Sequence, residues 1–137
     1  MCCGASEEIA DMAARFLTEH GYGAQAVGPV WEAIALHATP GIAERRGVLA
    51  YLTRRGIGVD FGIGADFVTD TQGAAVHSNH PRLNMVTALV DDIVRHAARS
   101  PQAGARYTLG GEFVRERAEP GAVTFLERTA STSRWGT

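Results

Sequence analysis

Two residues have the types and settings for chemistry. Asp60 lies between Val59 and Phe61, and a carboxylate among apolar neighbours must be solvated, paired, hydrogen-bonded or bound to a metal. His37 closes a strongly apolar stretch, five residues after Glu32. Histidine there can move a proton or orient a substrate near neutral pH. It can equally cap a helix C-terminus, where the dipole favours its charged form. His77 and His80 are three residues apart and could share a helix face, but His80 precedes Pro81 at a helix end, where a solvated histidine is the plainer reading. None of the five histidines falls in a His-Glu-x-x-His zinc pattern. Serine, histidine and aspartate are all present, without the Gly-x-Ser-x-Gly elbow that would support a triad. Phe61-Gly62-Ile63-Gly64 is glycine-spaced but lacks the Gly-Lys-Ser/Thr ending of a phosphate loop. All 13 basic side chains are arginine, which excludes a catalytic lysine.

The elements that must position these residues read as helices. Ser6 is a candidate N-cap, with Glu7 and Glu8 in a first turn where the helix dipole favours negative charge. Ile9, Met12, Ala13, Phe16 and Leu17 then recur at helical spacing as one apolar face, and His20, Gly21 and Gly23 stop it. A second helix carries Val27, Val30, Trp31, Ile34 and Ala38, with Pro29 in its first turn or marking a fresh start, and Thr39-Pro40-Gly41 ends it. A third, with Val48, Leu49, Leu52 and Val59, is weakened by Gly56 and Gly58 and is expected to break before Asp60.

Further on, Thr69 and Gln72 fit a capping box for a short helix ending near His80-Pro81. A long amphipathic helix follows with Val86, Leu89, Val90, Ile93, Val94 and Ala97 on one face and Asp91 and Arg95 placed for an i,i+4 pair. Ser100-Pro101 stops it. Apolar patches at Phe113-Val114 and Val123-Phe125-Leu126 complete the pattern. No sustained period-two alternation is visible. The expectation is therefore one all-α domain over residues 1–137, of about five or six helices, with disordered residues 1–5 and a flexible tail at 129–137.

The run Val30-Trp31-Glu32-Ala33-Ile34-Ala35-Leu36-His37-Ala38-Thr39-Pro40-Gly41-Ile42-Ala43 resembles a stretch of cyanamide-hydratase-like HD-domain metallohydrolases. Phe16–Gly21, Gly58-Val59-Asp60-Phe61-Gly62 and His80-Pro81-Arg82 are similar to further segments of that family, so the likeness runs with gaps from about Ala10 to Phe125. The resemblance implies an HD-like helical fold binding a divalent metal (zinc, iron or manganese), with Asp60 as a metal ligand. It also implies His37 as a catalytic or substrate-orienting group, and Trp31, Phe61 and Phe16 lining a pocket for a small molecule. The family's His-Asp doublet and an earlier histidine should precede the first helix; the chain contains no His-Asp dipeptide. A remnant or truncated HD protein, not competent alone, is thus expected. The alternative is an active hydrolase or hydratase for a nitrile-like or phosphoester substrate, using Asp60 and His37 with ligands from other histidines or another chain. Loss of N-terminal helices would bare an apolar patch, and large exposed patches mark partner surfaces; a homodimer is the expected consequence.

The bulk properties are compatible with this picture. At 137 residues with 45% hydrophobic content the chain can bury a core without disulfide or metal. A net charge of −2 with mixed signs leaves no electrostatic footprint for nucleic acid or an anionic membrane. Cys2 and Cys3 are adjacent and form no disulfide framework or Cys-x-x-Cys site. No apolar run reaches membrane-spanning length, and Glu7, Glu8 and Asp11 interrupt any signal-peptide pattern, so a cytoplasmic protein is expected.

Overall fold

In a computed structural model, which describes residues 4–136, every regular element is helical. Cys2 and Cys3 lie outside the described residues. The elements are α1 (Gly4–Glu19), α2 (Ala24–Leu36), a 3-10 turn (Ala43–Arg45), α3 (Val48–Asp60), α4 (Asp70–Asn79), α5 (Met85–Ala97), α6 (Leu109–Glu116) and α7 (Phe125–Ser131). The all-α expectation holds, with seven α-helices among the described residues where five or six were expected. The two C-terminal apolar patches each became a helix, because Thr108 and Thr124 cap them: their hydroxyls accept from the amides of Gly111 and Glu127.

Several local expectations are corrected. The first helix begins by Gly4, so Ser6 is not its cap but a buried residue within it. Residues 4 and 5, expected in a disordered tail, belong to α1. Helix α3 runs unbroken through Gly56 and Gly58 to Asp60. Arg95 pairs with Asp92 one turn away, whereas Asp91 is 2.9 Å from Arg117 on the neighbouring α6 end, so tertiary placement overrode the i,i+4 option. The expected flexible tail from Thr129 is instead the end of α7 and a docked segment. Trp135 Nε1 donates to the Val59 carbonyl at 2.9 Å, and Arg134 reaches the Ala65 and Val68 carbonyls and the Asp70 carboxylate. The capping box at Thr69 and Gln72 is present as read.

Helix α1 packs on α2 and touches α5, α2 packs on α3, and α5 packs on α6 and α7. The interior is built largely from small residues: Ala10, Ala33, Ala35, Ala43, Ala50, Ala97 and Ala103 are all buried. Large side chains meet where Phe61 and Val86 cluster with Ala130, flanked by Met85 and Leu126, and where the buried Phe113 ring lies 5.8 Å from that of Phe125. Small residues let backbones approach closely, and glycine goes further. A Cβ on Gly111 would stand 2.1 Å from the Ala105 carbonyl oxygen and one on Gly110 2.7 Å from that of Ala103, so the turn before α6 is closed by backbone-to-backbone contact.

Candidate functional site

The C-terminal end of α3 and its surroundings gather most of the residues with chemical potential. A groove of about 350 Å³ opens between α1, α3, α5, α6 and α7. Ile9, Ile57, Phe61, Leu89, Ile93 and Leu126 supply its apolar walls. His37, Glu44, Arg54 and Arg55 place polar groups at it. A concave, mainly apolar site with a few convergent polar groups is the usual form of a small-molecule pocket.

Three of these polar groups are cross-linked. Arg54 donates through Nε to Glu44 Oε1 at 2.8 Å and through Nη1 to the His37 carbonyl at 2.8 Å. Glu44 also accepts from the Gly41 amide at 2.7 Å. Its own backbone amide, first, and then the Arg54 guanidinium hold the Glu44 carboxyl below its ordinary range. His37 stands at the C-cap of α2, with Nδ1 2.6 Å from the Ile34 carbonyl. It is both a helix-end residue and a groove residue.

Of the other nominated residues, one joins the groove and the rest do not. Phe61, only 9% exposed, sits in the core cluster and forms part of the groove wall. Asp60 does not line the groove. Its Oδ1 accepts from Arg82 Nη1 at 2.7 Å, and its carbonyl accepts from the same nitrogen at 3.2 Å. The Arg82 side chain is 8% exposed and the Asp60 side chain 43%. Trp31 is partly buried away from the groove, where Nε1 donates to Asp11 Oδ1 at 2.7 Å and ties α2 to α1. Phe16 lies outside the groove on the exposed side of α1, with its ring centroid 4.1 Å from that of His20. His77 meets the edge of Trp135 at 5.5 Å. Two segments that carry the family resemblance, around Asp60 and around Arg82, therefore do meet, as an ion pair.

Among the described residues no three His, Cys, Asp or Glu side chains converge as a metal site would require. Asp60 is directed to a guanidinium through Oδ1. Among the described residues, therefore, nothing gathers around Asp60 as the divalent metal implied by the resemblance would need. Sequence reasoning missed Arg54, Glu44 and the α5 wall; the heptad-like spacing of Leu89 and Ile93 was visible, but only as a core face.

Compared with known proteins, the chain matches no family model, no curated protein and no solved structure at a significant level.

Proposed function

We propose that the chain is a non-catalytic helical binding domain, related to HD-domain metallohydrolases, whose groove takes a small, largely apolar molecule with one polar end. The observation that carries this reading is the groove itself: apolar walls from several helices, with His37, Glu44, Arg54 and Arg55 among the residues that line it. Arg54 is already engaged with Glu44 and the His37 carbonyl. Arg55 is exposed and has no carboxylate within ion-pair distance among the described residues, so it is the cation free to meet an anionic group. The resemblance carried by the stretch around His37 supports the kinship. The engagement of Asp60 with Arg82 favours binding over metal-dependent hydrolysis.

Calorimetric titration with a medium-chain carboxylate such as octanoate, beside the matching alcohol, tests this. Saturable binding is expected, weaker for the alcohol and weakened at least about tenfold, or about 1.4 kcal/mol, by Leu89→Asp, which puts a charge on the groove wall. Absence of binding to both probes would remove the reading. Elemental mass spectrometry of the purified chain is the companion measurement. Stoichiometric metal that disappears in Asp60→Ala would favour the hydrolase reading with Asp60 and His37.

A further inference from the structure

Helix α1 presents two faces. One, with Ala10 at its centre and Ala13, Ala14 and Leu17 beside it, turns towards the rest of the chain. The other is a stripe of large apolar side chains, Ile9, Met12 and Phe16, which are 55%, 61% and 58% exposed. The spacing three then four is the repeat by which one helix seats on another. The stripe is not an isolated blemish. A folded monomer of this mass exposes about 6900 Å², whereas this chain of 14.6 kDa exposes 8670 Å². The excess of about 1800 Å² is spread over the molecule, since Val48, Phe67, Leu83 and Tyr107 are 75%, 72%, 84% and 74% exposed as well.

The charges beside the stripe say which occupant fits. Glu8 and Arg15 are exposed and seven residues apart, so both lie along the same flank of the stripe, with Glu8 Oε2 also 3.7 Å from His96 Nε2 of its own chain. A second α1 laid antiparallel across this one brings Glu8 of each copy opposite Arg15 of the other, twice by symmetry. A parallel alignment would set this flank against the opposite flank of the partner helix, leaving Glu8 and Arg15 unmatched with each other. Self-complementary apolar and charged surfaces are what a twofold interface needs. We propose that the chain forms a homodimer through antiparallel packing of the Ile9, Met12 and Phe16 stripe of α1, with Glu8 and Arg15 paired across it. Ile9 also lies on the groove, so the second copy would extend that wall. The dimer does not depend on what the groove holds.

Sedimentation equilibrium up to about 100 µM, far above a micromolar dissociation constant, is the test. The unmodified chain should sediment at twice its chain mass. Arg15→Glu should weaken association at least about tenfold, because Glu8 then faces a like charge. The charge exchange Glu8→Arg with Arg15→Glu should restore it. Met12→Glu with Phe16→Glu should yield a monomer that keeps its helical circular dichroism, since both side chains are exposed within one chain. A monomer at the highest concentration overturns the dimer. A dimer insensitive to Arg15→Glu, or not restored by the exchange, overturns the antiparallel pairing. Octanoate titration of the monomeric variant keeps this outcome separate from the groove reading.

Discussion

At the scale of single residues, the Asp60–Arg82 pair is the most exacting feature. Arg82 is nearly buried, and its Nε and Nη2 have no hydrogen-bond partner in the structure, so Asp60 is the group that compensates its charge. Removing one partner of a buried pair typically costs about 3–5 kcal/mol, and the partial exposure of Asp60 reduces that. Asp60→Ala should therefore lower stability by about 2 kcal/mol in urea denaturation. A metal ligand, by contrast, would show little cost in metal-free protein. Glu127 gives a second residue-scale expectation. Burial pushes its carboxyl up, but hydrogen bonds from the Thr124 amide and hydroxyl, with Arg117 at 2.7 Å, outweigh it and leave it below the ordinary range. A depressed carboxyl contributes stability above its unfolded value of about 4.3 and loses it as pH falls through the lower folded value. Thermal stability should drop on the acid side below about pH 4, and Glu127→Gln should flatten that drop.

Among the elements, glycines separate those that must be glycine from those that need not be. Gly56 in α3 has nothing near a would-be Cβ, so Gly56→Ala should add up to about 1 kcal/mol through helix propensity. Gly111 in α6 would drive its Cβ into the Ala105 carbonyl, so Gly111→Ala should cost about 2 kcal/mol or more. Paired melting curves of the two variants should move in opposite directions. The contrast marks what the chain made legible. Capping boxes and helix-period faces depend on neighbours in sequence, and so Thr69–Gln72 and the long face of α5 could be read directly. The close approach at Gly111 depends on a loop folding back, and the docking of Trp135 on the Val59 carbonyl joins residues 76 positions apart. Neither leaves a local trace. For the same reason the C-terminal segment read as flexible: its polar composition resembles a loop, and the contacts that hold it are made by Arg134 and Trp135 at long range.

For the whole molecule, the groove residues are a mixture of the legible and the hidden. His37 was marked by its own surroundings in sequence, and Phe61 by the family resemblance. Arg54, Glu44, Leu89 and Ile93 joined them only because α2, α3 and α5 converge. Sequence also suggested an apolar face on α1 but could not say that half of it would remain uncovered, since coverage is decided by the partner helices. The surface excess has a consequence for bulk measurements. If association covers it, folding and dimerisation are linked, and the melting temperature should rise by a few degrees for each tenfold increase in protein concentration. A concentration-independent melting curve would mean that the chain unfolds as a monomer. No helix among the described residues is long and apolar enough to cross a membrane.

The two tryptophans of the chain stand in opposite parts of this architecture. Trp31 is fastened to Asp11 between the first two helices; Trp135 leans on Gly73 and His77 and reaches the end of α3. Each indole is therefore an optical reporter of one seam. Trp31→Phe would leave emission that follows release of the C-terminal segment, and Trp135→Phe would leave emission that follows separation of the α1–α2 pair. Recorded along one denaturation, the two signals would show whether those seams part together or in succession.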